Sequence, residues 1–298
     1  MHTYLDCIPC LLRQSLESAR RFSPDPRIHE QILREVLRLT LELDLQRPPP
    51  WVGQRIHRRL RELTGVADPY LAAKQRFNRL AREALPALAA RVDQAADPLL
   101  TAAGLAVAAN AIDLGVAGEL SDAQVREALA AAPVTLHGDL EEFRQAVHAA
   151  TDILYLADNA GEIVVDRLLV EQLGPARVTV AVRGRPVLND ATLADVADVG
   201  LDGRVAVIAN GSDAPGTILD DCSPDFLERF HRADLILAKG QGNFETLSGV
   251  AGRLVFLFKA KCPVIAEHIG LPVGTHALVC SWSAPPSGVS SAGPLPWR

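Results

Sequence analysis

The chain has 298 residues, a mass of 32.0 kDa and a formal net charge of −6. This length suits one large domain or two smaller ones, and 48% apolar with 22% charged residues is typical of globular proteins and excludes wholesale disorder. No apolar run reaches the ~18 residues of a membrane span, and the N-terminus lacks the basic start of a secretory signal. We therefore expect a cytoplasmic protein with neither a membrane nor a nucleic-acid partner.

Two compositional biases help to locate functional positions. Residues 1–110 carry a net charge of +4 and residues 111–298 a net charge of −10, which indicates two halves of different kinds. The chain also has 26 arginines but only four lysines and six asparagines. We infer that positions where lysine or asparagine remains require those side chains.

The five cysteines are an odd number and predict no disulfide framework in a cytoplasmic chain. Cys7 and Cys10 form a CxxC pair, but no second pair completes a zinc site, and a redox motif is expected after a strand rather than in a helical region. We interpret the pair as buried structural cysteines and leave a metal or redox role open. Cys222 and Cys262 are expected to pack behind loops.

The first half has the periodicity of helices, because apolar residues recur every three or four positions. A proline run at residues 48–50 predicts a break. Beyond it we predict a long helix over residues 69–91, a buried apolar helix over 99–115, and amphipathic helices over 121–132, with Ser121 as N-cap, and 138–149.

From residue 151 short apolar runs alternate with helical stretches, which is typical of a parallel sheet covered on both faces. Strands are predicted over residues 152–158, 177–182, 204–210, 234–239, 253–258 and 277–280, and helices over 162–173, 190–199, 224–232 and 243–249. The predicted fold class is therefore α/β, with a helical domain (1–150) packed on a Rossmann-like, mostly parallel, doubly wound sheet (151–280). Residues 281–298 are rich in proline, serine and glycine and predict a disordered tail.

Polar clusters follow five of the predicted strands, and parallel sheets bind ligands beyond the carboxyl ends of their strands. Four of the six asparagines and three of the four lysines lie in these loops. The clusters are Asp158–Glu162, Arg183–Asp190, Asn210–Thr217, Lys239–Glu245 and Lys259–Cys262. Their coincidence at one sheet edge predicts a functional site there.

The chemistry of these loops suits a hard metal beside a phosphate. Carboxylate and amide oxygens are the ligands that Mg²⁺ and Mn²⁺ prefer, and they are offered by Asp158, Asn159, Asp190 and Asp213. Positive charge and N–H donors for an oxyanion come from Arg183, Lys239 and the backbone amides of 240–242. Such a combination suggests phosphoryl chemistry. Each aspartate or asparagine taken alone would also fit a helix cap or a turn.

Other site types find less support. The chain contains no P-loop, no G-x-S-x-G elbow and no H-E-x-x-H motif, and the first strand is followed by one glycine where a dinucleotide fingerprint has three. Two alternatives stay open: a methyltransferase that uses a nucleoside cofactor, and a non-catalytic binder of a phosphometabolite that needs metal.

Several motifs together resemble the damage-control phosphatase family, formerly domain of unknown function 89, in its CxxC-containing subfamily I. In chain order they are CIPC (7–10), DPY (68–70) with Lys74 and Asn78, ANAIDLG (109–115), LADNAGEIVVD (156–166), VRGRPVLNDAT (182–192), NGSDAPGT (210–217), CSPDF (222–226), LAKGQGNFETL (237–247) and KCPVIAEHIG (261–270). The resemblance spans residues 4–280. It departs from the family at Ala109, where glycine is expected.

The resemblance implies a phosphatase that depends on a divalent metal ion (Mg, Mn, Co or Ni) and acts on small phosphorylated metabolites, often damaged or side-product ones. Its metal ligands map to Asp158, Asn159 and Asp190, and its phosphate-binding lysine maps to Lys239. Asn110 and Asp113 are expected near the pocket.

Further roles are hypotheses of ours. We assign the amides of Gly240 and Gly242 to phosphate binding, Asp213 to orienting or deprotonating the attacking water, and Arg183 to supporting the phosphate. Asn243 and Glu162 are expected to contact and orient the residues that bind the substrate and the metal. Nothing in the sequence indicates an oligomeric state.

Overall fold

The computed structural model describes residues 1–112, 121–132, 134–201 and 203–283, without the side chains of 111, 112 and 198. Residues 284–298 of the predicted tail and residues 113–115 of the predicted helix over 99–115, including Asp113, lie outside these residues. The first residue of the predicted tail is ordered, because Ser281 exchanges hydrogen bonds with Leu254 at the start of the sixth strand. The described ranges therefore cover nearly all of the two predicted domains.

The first half is helical, as the periodicity predicts. Within the described ranges, seven helices precede the main part of the sheet: α1 (Cys7–Phe22), α2 (Pro26–Leu41), α3 (Pro49–Thr64), α4 (Leu71–Asp93), α5 (Pro98–Ala108), α6 (Asp122–Ala130) and α7 (Leu140–Ala149). A 3₁₀ turn, Ala109–Ile112, extends α5. Short polar side chains start several of these helices because they accept otherwise unpaired backbone N–H groups: Asp97 accepts from Leu100 at 2.9 Å, and Ser121 forms a capping box with Gln124.

The second half contains most of the sheet, whose strands are β1 (His137–Gly138), β2 (Ile153–Leu156), β3 (Val178–Val182), β4 (Ala206–Ala209), β5 (Leu235–Lys239), β6 (Leu254–Lys259) and β7 (His276–Cys280). Their order is β1-β7-β6-β5-β2-β3-β4, and the pairings are parallel except for the antiparallel pair β6–β7. The accompanying helices are α8 (Glu162–Leu173), α9 (Leu193–Val199), α10 (Pro224–Arg232), α11 (Gln241–Leu247) and α12 (Pro263–Ile269).

The fold class is confirmed, and the differences from prediction lie in short elements. Pro49 and Pro50 occupy the first turn of α3, where a missing N–H costs nothing, so the proline run starts a helix as well as ending the preceding segment. β1 lies at the start of the helix predicted over 138–149, and α12 was not predicted. Both are too short to show a period.

The core explains how the two halves meet. Side chains of β2 alternate between faces: Ile153 and Tyr155 join a large apolar cluster that includes Leu60 of α3, while Leu154 and Leu156 join a second cluster over the opposite face. The helical half and the sheet therefore share one core. Among the described residues, no helix is both long enough and apolar enough to cross a membrane.

His57 on α3 makes this packing sensitive to acid. Burial, and then the charge of Arg61, lower its pKa to about 4 from 6.5, against the opposing effect of Asp213. The folded state therefore excludes a proton that the unfolded chain binds, so stability falls as the pH drops from about 6.5 to about 4, by roughly 3 kcal/mol in total.

We expect His57→Leu to remove this dependence, with the unfolding free energy measured in urea between pH 7 and pH 4.5. The exposed His148 supplies the control, since His148→Gln should keep the wild-type slope. Equal slopes for His57→Leu and wild type would contradict the assignment.

Candidate active site

The predicted site residues gather where the strand order reverses. β2 lies between β3 and β5, so chain segments leave its carboxyl end beside those of both neighbours. Such a switch point opens a crevice at the sheet edge. Asp158 follows β2, Arg183 follows β3, and Lys239 ends β5.

Backbone hydrogen bonds hold the first two loops together. The N–H of Ala160 donates to the carbonyl of Asn189 at 2.8 Å, and the N–H of Ala191 donates to the carbonyl of Asp158 at 2.7 Å. The structure thereby brings Asn159 opposite Asp190 as a bridged pair. Leu188, just before Asn189, adopts a φ of 45°, which an L-residue rarely adopts outside functional or tightly held loops.

Two amide side chains lie between two buried carboxylates. Asn110 Nδ2 donates to Asp158 Oδ2 at 3.0 Å and to Glu162 Oε2 at 2.7 Å. Asn159 Nδ2 donates to the same two oxygens at 2.8 and 3.0 Å. Asn110, which comes from the helical half, thus lies beside Asp158 and Glu162 in the candidate site.

The charges around Asp158 make its ionised form unfavourable. Burial, then the carboxylates of Glu162 and Asp190, raise the pKa of Asp158 well above its usual value, and Arg183 offsets only part of this. A cation beside these oxygens would make the ionised form of Asp158 more favourable.

Arg183 is the cation that contacts both loops. Its Nε donates to Asp190 Oδ2 at 2.7 Å, and its Nη2 lies 3.7 Å from Asp158 Oδ1. Nη2 is buried, and no described residue accepts a hydrogen bond from it. One guanidinium donor is therefore available next to Asp158.

Lys239 is fully buried, and its ammonium group is engaged by the protein. It donates to the carbonyl of Ala106 at 2.9 Å, to Glu162 Oε1 at 2.5 Å and to Asp166 Oδ1 at 2.7 Å. Burial lowers its pKa, but the two carboxylates outweigh burial and raise it, so Lys239 is charged at neutral pH. Burial in turn raises the pKa of Asp166 to about 7 despite Lys239.

The glycine loop after β5 presses directly on Asp158. Gly240 adopts a φ of 78°, and a Cβ added to it would lie 2.0 Å from Asp158 Oδ2. Its N–H donates to the carbonyl of Leu257, so this amide is occupied. Gly242 lies in the first turn of α11 against the backbone of Pro215. Asn243 connects Lys239 to Arg183, donating to the lysine carbonyl at 2.7 Å and accepting from Arg183 Nη1 at 3.3 Å.

Gly240→Ala is accordingly expected to displace the Asp158 carboxylate. We expect a loss of about 1–3 kcal/mol of stability from the left-handed backbone and the clash, together with at least about a 10-fold weaker affinity for Mn²⁺, measured by calorimetry. Gly249→Ala is the matched control, because a Cβ there meets no atom within 4 Å. Wild-type affinity in Gly240→Ala would show that this contact does not position Asp158.

Asp213 lies among residues of α3. Its oxygens accept from Gln54 at 2.8 Å, from Arg58 at 2.6 Å and from Arg61. Burial raises the pKa of Asp213, but these donors outweigh it and hold the pKa below its usual value. Asp213 is thus bonded to the helical half. A carboxylate with a lowered pKa is a poor proton acceptor, so these contacts do not favour the predicted role of Asp213 in deprotonating water.

Comparison with known proteins identifies the family. A profile of the damage-control phosphatase ARMT1-like domain matches residues 3–277. The chain belongs to the damage-control phosphatase ARMT1-like family. It is 34% identical over 280 residues to a damage-control phosphatase of Archaeoglobus fulgidus (90% of this chain, 95% of the relative) and 32% identical over 292 residues to an uncharacterized protein of Methanocaldococcus jannaschii (92% and 94%).

The fold agrees with a solved structure. The crystal structure of a DUF89 family protein from Pyrococcus horikoshii superposes with a TM-score of 0.83 at 30% identity, covering 94% of this chain and 98% of that one. The resemblance to the damage-control phosphatase family is therefore confirmed, whereas the subfamily assigned from the CxxC pair stays a prediction.

The importance of two carboxylates in the candidate site could be seen in the structure but was not predicted from the sequence. Asp166 was not singled out, although its i, i+4 spacing from Glu162 on α8 places both on the same helix face, toward Lys239. Glu162 was expected only as a supporting residue, yet it contacts both amides and the lysine. Asp113 lies outside the described residues.

The oxygens of the site fit a divalent cation. Four carboxylates, Asp158, Glu162, Asp166 and Asp190, accompany two buried cations, Arg183 and Lys239. Within the described ranges, no group of three or more His, Cys, Asp or Glu side chains is arranged to hold a metal ion. The ligands expected from the family are Asp158, Asn159 and Asp190. Only two of these three belong to the four residue types just named, because Asn159 would bind through its amide oxygen.

Proposed function

We propose that the chain is a divalent-metal-dependent phosphatase that hydrolyses small phosphorylated metabolites, such as sugar phosphates and related damaged or side-product compounds, in the cytoplasm. Family membership supports a phosphatase role. The observation that supports the finer proposal is the excess of carboxylates over buried cations around Asp158, beside which Nη2 of Arg183 donates a hydrogen bond to none of the described residues.

In this proposal Asp158, Asn159 and Asp190 hold the metal ion, which would be Mg²⁺, Mn²⁺, Co²⁺ or Ni²⁺. When bound, the ion would lower the pKa of a water molecule and offset charge on the phosphoryl group. Asn110 and Asn159 orient the carboxylate of Asp158 through Oδ2, which leaves Oδ1 directed toward Arg183.

Arg183 would bind the phosphoryl group. Its Nε is held by Asp190, so the guanidinium plane is fixed before substrate binds, and Nη2 can donate to a phosphoryl oxygen without breaking a bond. A preorganised donor of this kind stabilises charge as it develops in the transition state. In the first turn of α11, the amide of Gly242 would add a second donor.

In this proposal Lys239 has a positioning role rather than the phosphate-binding role that the resemblance implies. Because its ammonium group donates to three acceptors within the protein, Lys239 would hold the carboxylates of Glu162 and Asp166 in place. Asp213 would hold α3 against the loop after β4. Arg61 extends this contact, since it also donates to the carbonyl of Pro186 at 2.9 Å, in the loop that leads to Asp190.

The test is phosphate release from a panel of sugar phosphates, nucleotides and phosphopantetheine compounds, with each of the four metals and with EDTA. We expect release that requires metal and that Arg183→Met reduces by about 10²–10³-fold. Arg185→Met, at an exposed arginine two residues on, is the control. Metal binding without release from any compound would favour a non-catalytic binder, and release unaffected by EDTA would refute metal dependence.

A further inference from the structure

The helical half meets both loops of the candidate metal site through α4. Lys74 and Asn78 lie one turn apart on this helix, and both are buried, with 1% and 0% of their surfaces exposed. They represent two residue types that are rare in this chain, and the proposed phosphatase chemistry uses neither of them. Their contacts run to the segments that carry Asp158, Asn159 and Asp190.

Asn78 contacts the first loop through its carbonyl oxygen. The N–H of Gly161, two residues after Asn159, donates to Asn78 Oδ1 at 2.6 Å. Gly161 also packs tightly against the neighbouring residue of α4, because a Cβ added to Gly161 would lie 2.8 Å from the Cβ of Phe77. The position of the Asp158–Asn159 loop is therefore set against α4.

The other end of the same side chain reaches the second loop. Asn78 Nδ2 donates to Asp195 Oδ1 at 3.2 Å, and Asp195 Oδ2 accepts from the N–H and the hydroxyl of Thr192 at 2.9 and 2.8 Å. Thr192 lies two residues after Asp190. One amide group thus joins the loop of Asn159 to the loop of Asp190.

Lys74 supplies positive charge beside this bridge. Its Nζ lies 2.9 Å from Asp195 Oδ2 and 3.3 Å from Asp68 Oδ2. Asp68 also accepts from the N–H of Tyr70 at the start of α4. The ammonium group of Lys74 therefore offsets negative charge on Asp195 within the core, where Asp195 accepts from Asn78 and Thr192 together.

We propose that Asn78 is a positioning residue that sets the Asp158–Asn159 loop against the Asp190 loop, so that the helical half determines how tightly the site binds its divalent cation. This inference rests on the proposed function only in its choice of metal ligands. Asn78 itself does not touch the metal or the substrate. Residues that orient metal ligands from behind typically change metal affinity by about 10–100-fold when they are replaced.

The experiment is a calorimetric titration of Mn²⁺ into the metal-free full chain. We expect Asn78→Leu, which keeps the branched shape of the side chain but removes both hydrogen bonds, to bind Mn²⁺ about 10–100-fold more weakly than wild type. Asn78→Gln keeps an acceptor for Gly161 and a donor for Asp195, and it should recover at least half of that loss on a logarithmic scale. Where phosphate release is measured, the rate of Asn78→Leu should approach that of wild type once Mn²⁺ is raised to saturation.

Leu88→Ala is the control for a general loss of stability. Leu88 is buried on α4, ten residues from Asn78, and is a member of the large apolar cluster. We expect it to lower the melting temperature while its Mn²⁺ affinity stays within about twofold of wild type. If Asn78→Leu does not fold, Asn78→Ala replaces it, since it removes the same bonds and adds no bulk.

Wild-type Mn²⁺ affinity in the folded Asn78 variant would overturn the inference, as would an equal loss of affinity in Leu88→Ala. Failure of the proposed function has a different signature. Wild type would then bind Mn²⁺ but release no phosphate, while the difference in affinity between Asn78→Leu and wild type would persist.

Discussion

Asp158→Asn is expected to reduce metal-dependent phosphate release on the order of 10³-fold or more while leaving the metal-free protein at least as stable as wild type. The two effects have one cause. The proposed metal requires Asp158 in its ionised form. In the metal-free protein this charged form is unfavourable, because Asp158 is buried beside Glu162 and Asp190. Asparagine keeps an oxygen acceptor for Asn110 and Asn159 but carries no charge.

The direction of the stability change follows from the raised pKa of Asp158. Above the unfolded pKa of about 3.9, the unfolded chain ionises more readily than the folded one. Ionisation therefore favours unfolding at neutral pH, and asparagine removes this effect. Thermal unfolding in EDTA at pH 7 measures it, with the expected melting temperature of Asp158→Asn at or above that of wild type.

Asp234→Asn is the control of opposite sign. The hydroxyl and N–H of Thr151 lower the pKa of Asp234, so its ionised form stabilises the fold. Asp234→Asn should lower the melting temperature and leave phosphate release unchanged. A clear loss of stability in metal-free Asp158→Asn would contradict our account of the charges at the site.

Lys239→Met is expected to destabilise the protein by about 3–5 kcal/mol and to abolish phosphate release. Methionine fills a similar volume, so the loss comes from charge rather than packing. Without the ammonium group, Glu162 and Asp166 face each other as buried carboxylates with no cation between them.

Urea unfolding at pH 7 measures the destabilisation, and Lys259→Met at the end of the neighbouring strand β6 is the control, since Lys259 is only partly buried. We expect the control to change the unfolding free energy by less than about 1 kcal/mol. A similarly small change in Lys239→Met would show that the lysine does not hold these two carboxylates.

The strands and the meeting of their loops could be predicted from the sequence. Continuous apolar runs such as Leu235–Lys239 mark buried parallel strands, and the carboxyl ends of neighbouring strands meet wherever they fall in the chain. For this reason the sequence alone predicts that Asp158, Asn159 and Asp190 lie together. The two-residue strand β1 and the seven-residue helix α12 were missed because they are shorter than a readable period.

The partners of the charged residues could not be predicted in the same way. Which helix of the first half lies over which loop depends on tertiary packing, and helical periodicity identifies only the face that is buried. Asp213 therefore looked like a free carboxylate in a loop, although Arg58 and Arg61 of α3 surround it. Lys239 looked like a free cation because the packing of α8, which carries Glu162 and Asp166, against the end of β5 is also a tertiary contact. The rarity of lysine and asparagine was the signal that pointed to Lys74 and Asn78.

The central claim is that the oxygens around Asp158 form a metal site on which phosphate release depends. The most direct measurement is a titration of Mn²⁺ into metal-free wild type and Asp158→Asn, with bound metal and phosphate release followed in the same samples. We predict that the wild-type rate rises in proportion to one bound ion, while Asp158→Asn binds weakly and releases no phosphate. Release from metal-free wild type, or equal binding by Asp158→Asn, would contradict the claim.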